Sequence, residues 1–332
     1  MQYMKIGHSD LNASVITLGS WAIGGGASWR NSIDDESVAA VHTALDNGIN
    51  IVDTAPIYGL GHSEEMVGKA ISTIKRSDIL ISTKATFSWD EPNDGIYCYD
   101  MYGHHIYKNM SYDAIKRDCE ESLKRLGTDY IDLYYIHNPA PDPEKMPAAE
   151  TARALMDLKK EGKIRAIGLS NVQPHHIEEY IGLGCEVDII QRKYSMLERS
   201  VEAEILPLCK KYGLSLHAYS PLERGLLAGK VKKDYVVPAG DAREGQPWWK
   251  PEKMPHAIDF VASLEDICKK NNCSFVDLAV AFLRGQGDLV NVICGGHKPE
   301  QAITDAKAGN VTLPQEDLTE IRKRIEALEA QY

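Results

Sequence analysis

No apolar run in this 332-residue chain approaches the ~18 residues that a membrane-spanning helix needs. No apolar stretch follows the opening Met1-Gln2-Tyr3-Met4-Lys5 either, so a secretory leader is not expected. Positive charge is in deficit. The chain carries 37 Lys and Arg against 48 Asp and Glu, a formal net charge of −11. Such a surface repels phosphate backbones and anionic lipid, which excludes nucleic acid and membrane surfaces as expected partners. Cysteine is sparse and scattered: seven residues, no CxxC pair, and a Cys268/Cys273 spacing that completes no metal set. A reducing, cytoplasmic setting without a metal is the expectation. Also missing is the GxGxxG fingerprint of an open dinucleotide-binding sheet, since Gly24-Gly25-Gly26 has the wrong spacing and opens no helix. Nor is there a sequence repeat or a low-complexity tract.

What is present is a rhythm. Short β-branched runs predict strands at 15–18, 50–53, 79–83, 131–135, 164–169, 187–191, 214–218 and 290–293. Between them, amphipathic stretches predict helices at 35–47, 63–72, 112–126, 148–161, 174–182, 201–212, 257–271, 275–284 and 300–308. Eight short strands, each apolar enough to be buried on both faces and each separated by helix, predict a (β/α)8 TIM barrel spanning 1–332 as a single domain. Two connections, 85–110 and 221–255, are too long for ordinary βα loops and carry many aromatics. Both follow strands and so belong to the C-terminal rim, where barrel enzymes keep their sites. Trp21, Trp89, Trp248 and Trp249 are expected there as substrate walls, with His104, His105 and Arg243 adding polar capacity. The substrate expectation leans to a sugar, polyol or keto-sugar.

Three predicted strands end in chemistry-bearing residues: Asp53, Lys84 and His137, with Tyr58 in the loop five residues after Asp53. In a closed barrel these ends share one mouth. The set suits carbonyl reduction by hydride, which requires a proton for the developing alkoxide. A phenol can give it, but its ordinary pKa of ~10 makes it slow near neutrality. Lys84 is expected to lower that pKa, Asp53 to pair with the buried lysine, and His137 to orient the substrate oxygen. Schiff-base chemistry at Lys84 is a rival use of the same lysine.

These residues resemble the aldo-keto reductase family. The stretch Gly48-Ile-Asn-Ile-Val-Asp53-Thr-Ala-Pro-Ile-Tyr58-Gly-Leu-Gly-His-Ser-Glu64-Glu-Met-Val-Gly68 is similar to its first signature, and Lys84 and His137 match its other catalytic positions. Gly168-Leu-Ser170-Asn171, Gln191 and Tyr219-Ser220-Pro221-Leu222 followed by Gly225-Leu-Leu227-Ala-Gly-Lys230 resemble its cofactor segments. The likeness runs from a presumed N-terminal β-hairpin plug (2–14) to the last helix, and within the family it looks like the branch of bacterial inositol-operon reductases and potassium-channel β subunits. It implies a nicotinamide-dependent enzyme (EC 1.1.1.-) with Tyr58 as general acid/base. Ser170, Asn171 and Gln191 would hold the carboxamide, Tyr219 would stack on the ring, and the backbone from Ser220 to Leu227, with Lys230, would follow the pyrophosphate. Gly295, Gly296, His297, Lys298, Gln301 and Asp305 would meet the adenosine end. There the family usually carries a fixed cation where this chain has His297, and Glu-Asn where it has Thr304-Asp305. Neutral imidazole holds a 2′-phosphate poorly. NADP is the expected cofactor, with NAD or dual use as the alternative. A non-catalytic, redox-sensing regulatory subunit is the alternative function. Oligomeric state is not readable.

Overall fold

The computed structural model describes residues 1–26, 28–30, 32–89 and 95–332. Eight parallel strands close into a barrel: β1 (Ile16–Gly19), β2 (Ile51–Asp53), β3 (Leu80–Ala85), β4 (Ile131–Ile136), β5 (Ile164–Ser170), β6 (Val187–Lys193), β7 (Ser215–Tyr219) and β8 (Val290–Gly295). They pair in chain order, and β8 closes on β1 with Val292 opposite Ile16 and Gly295 opposite Gly19. The strands are buried on both faces because helices cover the outside while side chains fill the inside. This is the (β/α)8 architecture that the alternation predicts.

The barrel floor is sealed by an antiparallel hairpin, Tyr3–Lys5 with Asn12–Ser14. Its Ile6 and Leu11 pack onto Ile51, Leu80, Leu133, Tyr135, Ala166 and Ile189 inside the barrel. Gly7, with φ +50°, lets the turn press on β6: a Cβ there would stand 2.2 Å from the Asp188 carbonyl oxygen.

Helix boundaries at Tyr112–Leu126, Pro174–Gly182 and Phe275–Arg284 coincide with the sequence pattern. Elsewhere it needs correction. The helix expected at 201–212 is two, Ser200–Glu204 and Leu206–Tyr212, because Pro207 in the first turn of the second supplies no backbone N–H to continue the first. The one expected at 257–271 is likewise split, into Met254–Ser263 and Glu265–Lys270. A further helix, Gln315–Glu329, closes the chain. The long connection 85–110 is not a plain loop: Phe87–Trp89, Ile96–Met101 and His104–Lys108 form an antiparallel sheet. Its hairpin turns at Tyr102 and Gly103, with φ +53° and +85°, as a two-residue turn matched to strand twist requires. Residues 90–94 of that connection lie outside the described residues. Among the described residues, no helix is long and apolar enough to cross a membrane.

Candidate active site

Asp53 ends β2, Lys84 lies near the end of β3 and His137 follows β4 directly. Tyr58 sits on the turn after β2. That turn is held against the segment after β1 by two glycines in van der Waals contact, since a Cβ on Gly59 (φ +65°) would stand 2.2 Å from the Gly24 carbonyl oxygen. Lys84 is fully buried, and its ammonium donates to Asp53 Oδ2 at 2.8 Å, to the Thr54 carbonyl at 2.7 Å and to Tyr58 Oη at 3.2 Å. All three of its protons are used. Asp53 Oδ1 in turn accepts from the Ser82 hydroxyl and from Gln191 Nε2 at 3.0 Å. The His137 ring stands edge-on to Tyr58, with centroids 5.9 Å apart, and to Phe87 at 5.3 Å. Tyr58 and His137 remain partly exposed at the mouth.

Burial works against every charge in this group. It would raise the Asp53 carboxyl, yet Lys84 beside it brings the group below its ordinary range. Burial likewise disfavours the Lys84 ammonium, and Asp53 and Tyr58 more than restore it, so the lysine stays charged. An ammonium locked onto three acceptors is a poor nucleophile, which argues against the Schiff-base use. Tyr58 differs from the sequence expectation. Its phenol is raised, not lowered, because burial and the Asp53 charge outweigh the pull of Lys84. The His137 imidazole is held neutral, well below its ordinary value, first by burial and then by the Lys84 charge.

The residues assigned to the carboxamide come together, but they are already engaged with one another. Asn171 (φ +58°) donates to the His137 carbonyl at 2.9 Å and to Ser170 Oγ at 3.2 Å, and it accepts from Tyr219 Oη at 2.8 Å. Gln191 turns inward to Asp53 and His217. Beyond Tyr219, Ser220, Glu223 and Arg224 all have positive φ near +50°, as does Gly225 at +96°. Three non-glycine residues in that region within five positions carry backbone strain that the surrounding structure must hold. Pro221 and Leu227 are buried in this turn, Leu222 and Gly225 are partly open, and Lys230 is exposed. Gly295 is exposed at the end of β8. Gly296 is buried and donates to the Gly19 carbonyl at 3.1 Å.

Of the four tryptophans expected as walls, Trp21 lies 6.3 Å from Tyr58 between ring centroids. Trp89 packs with Phe87 and Tyr58 around Ala55, Ile57 and Ile106. Trp248 and Trp249 need correction. Both are buried in the main core, and their indoles donate to the carbonyls of Leu197 and Glu223. A nearly buried ring with its N–H satisfied inside the core anchors a loop. His105 and Arg243 are also engaged, with Asp100 and Asp241.

Sequence reasoning passed over Phe87, Trp29 and Arg224. The Arg224 guanidinium lies 4.9 Å over Trp21, and Trp29 meets Trp21 edge-on at 5.6 Å. Arg224 had one available signal, a cation within the Leu222–Gly225 run. Trp29 Nε1, Arg224 Nε, Glu36 Oε2, His297 Nε2 and Asp305 Oδ2 are all buried without a hydrogen-bond partner. Each such atom costs about 1–3 kcal/mol. Two of them, on Trp29 and Arg224, flank Trp21, and three, on Glu36, His297 and Asp305, lie about the start of helix Pro299–Ala308. These unmet donors and acceptors suit a polar ligand.

The chain matches the aldo/keto reductase family over residues 15–326. It is 40% identical to an NADH-specific methylglyoxal reductase of Escherichia coli (strain K12), covering 99% of this chain and all of that protein. It is 31% identical to a probable voltage-gated potassium channel β subunit of Oryza sativa subsp. japonica, over 94% of this chain and 92% of that one. Among solved structures, it resembles a glycerol dehydrogenase from Gluconobacter oxydans with a TM-score of 0.86 and 32% identity, covering 99% and 95% of the two chains.

Proposed function

Since this chain belongs to the aldo/keto reductase family and is an oxidoreductase of that family, we propose that it reduces a small polar carbonyl compound to an alcohol, with Tyr58 as the proton donor. One observation carries the reading: a charged, fully buried Lys84 lies 3.2 Å from the Tyr58 hydroxyl and 2.8 Å from Asp53. Lys84 donates to the phenolic oxygen, which leaves the phenolic hydrogen free to point into the mouth. His137, neutral and edge-on to Tyr58, has ring nitrogens suited to orienting the same substrate oxygen. A bound nicotinamide supplies the hydride. The chain's own part is to place the carbonyl, give its oxygen a proton and keep water away from the reacting atoms.

Substrate class follows from what lines the mouth. Trp21, Phe87 and Trp89 offer aromatic surface, while His137 and Tyr58 offer polar contacts, a mixture that suits short hydroxylated or dicarbonyl compounds. The names of the methylglyoxal reductase and glycerol dehydrogenase relatives point the same way. Steady-state turnover should favour methylglyoxal, glyceraldehyde and short keto-sugars over hydrophobic aldehydes. A panel in which only hydrophobic aldehydes react overturns the substrate class, and no turnover of any carbonyl favours the regulatory-subunit alternative.

The pH dependence has a defined shape. His137 is neutral across the working range and Tyr58 stays protonated to above its ordinary value. Reduction should therefore show no acid limb around an ordinary histidine pKa of about 6.5 and should fall only on the alkaline side. A kcat/KM profile that loses rate between pH 7 and pH 6 contradicts a neutral His137.

Asp305 gives a second pH signature. Burial holds its carboxyl up at about 8, with the Asp277 charge adding to the effect. At neutral pH it is an O–H donor and a carbonyl acceptor at once, the pattern of the amide that the family usually carries here. Dinucleotide affinity of the wild type should weaken as pH rises past 8, while Asp305→Asn shows no such loss. The stability sign agrees. A folded-state pKa raised above the unfolded value of about 3.8 means stability is fullest below that value and declines as pH climbs toward 8. Asp305→Asn should therefore raise the melting temperature more at pH 8 than at pH 5, and equal gains at both would contradict the protonated state.

A further inference from the structure

We propose that Glu36 sets the cofactor preference of this chain, accepting the ribose hydroxyls of the adenosine end and excluding a 2′-phosphate, so that NAD(H) is favoured over NADP(H). The proposal rests on the nicotinamide reading above and reverses the NADP expectation. It starts from three acids in the first turn of helix Asp34–Asp46. Asp34 turns to His62 at 2.9 Å and Asp35 to Lys69 at 3.3 Å, both on the helix that follows β2. Glu36 turns the other way, to Lys298 Nζ at 3.6 Å, at the start of helix Pro299–Ala308. Because β8 adjoins β1 in the closed barrel, these two helices begin side by side on the rim.

A 2′-phosphate requires a fixed cation or free backbone N–H groups at a helix start. Here both are committed. The Lys298 ammonium faces Glu36. The backbone N–H groups of His297 and Lys298 donate to the Gln301 side-chain oxygen at 3.0 and 3.1 Å. His297 is kept uncharged by burial and by the Lys298 charge. A phosphate here would meet the Glu36 carboxylate, and Lys298 beside it already faces that carboxylate.

A ribose diol has the opposite needs, and the corner meets them. Glu36 Oε2 is buried and accepts no hydrogen bond, facing the Lys298 ammonium at 3.6 Å, and His297 Nε2 near it has no hydrogen-bond partner either. A carboxylate accepting ribose hydroxyls is the standard chemical means of selecting NAD, just as a guanidinium selects the phosphorylated form. Independently of the acidic turn, Asp305 Oδ2 is buried and unpartnered, 3.8 Å from where a Cβ on Gly296 would lie. Asp305 itself is 4% exposed. The corner therefore awaits a ligand with both donors and acceptors.

The test is a tryptophan-fluorescence titration of the full chain with NADH and with NADPH, on the wild type, Glu36→Gln and Lys298→Met. The wild type should bind NADH more tightly. Glu36→Gln removes the negative charge and frees Lys298, so NADPH should tighten, NADH should weaken, and the ratio of the two Kd values should move by about tenfold. Lys298→Met distinguishes a role in recognition from a merely structural ion pair. If the pair only supports the fold, both variants shift affinity alike. If Glu36 reads the ribose, Lys298→Met weakens NADPH further, opposite in sign to Glu36→Gln. Breaking a half-exposed ion pair disturbs folding little, so both variants remain measurable. An unchanged ratio in Glu36→Gln, or a wild type that prefers NADPH, overturns the role of Glu36 while leaving the oxidoreductase reading intact. No binding of either dinucleotide by the wild type sinks both.

Discussion

Replacing Tyr58 with phenylalanine is expected to lower carbonyl reduction by about 10²–10⁴-fold, the range supplied by a positioned general acid. Dinucleotide affinity should be unchanged. Only one atom is removed. The ring keeps its place beside Trp21, and the Gly24–Gly59 contact that holds the turn is untouched. Lys84 loses one of three acceptors but retains Asp53 and the Thr54 carbonyl. The loss should therefore lie in kcat, with melting temperature and binding isotherms close to those of the wild type. Turnover retained within a few-fold, in a variant that still binds cofactor, ends the assignment of Tyr58 as proton donor.

Lys84→Met should be damaging in two separable ways. Methionine fills much of the lysine's volume but leaves the Asp53 carboxylate buried without its counter-charge, an arrangement that costs about 3–5 kcal/mol. In the wild type the pair's contribution is flat across ordinary pH. Asp53 is depressed in the folded state, so its share is present above an unfolded value of 3.8 and is lost as pH falls below that. Lys84 is raised, so its share is present below 10.5 and is lost as pH rises beyond it. Adding Asp53→Asn to Lys84→Met removes the stranded charge, and the double variant should recover most of the stability measured by urea unfolding. It should not recover activity, since the phenol then has neither the ammonium nor its partner. A double variant no more stable than Lys84→Met alone would show that burial of the carboxylate is not what destabilises the single one.

The barrel was legible because its evidence is periodic. Runs such as Ile-Asp-Leu-Tyr-Tyr-Ile between helices with a 3.6-residue pattern leave few other ways to bury both faces of a sheet. That Asp53, Lys84 and His137 share a mouth follows from strand ends alone. The direction of the Tyr58 shift was not legible, because it depends on how far water is excluded and on Asp53 counting against Lys84, neither of which is written in spacing. Trp248 and Trp249 illustrate a second limit: composition places aromatics in a rim loop but does not say which way they face. Tyr102-Gly103 hid a hairpin because tyrosine is an unusual residue at positive φ. Glu36 gave no signal at all, since an acid in the first turn of a helix is ordinary at the positive end of its dipole.

The hairpin under the barrel has a kinetic corollary. Ile6 and Leu11 pack against side chains that already fill the barrel, so no ligand passes through it and whatever enters at the mouth must leave there. If the nicotinamide settles deepest, beside Tyr219, it has to arrive before the carbonyl compound and depart after the alcohol. Traffic through that mouth is then last in, first out.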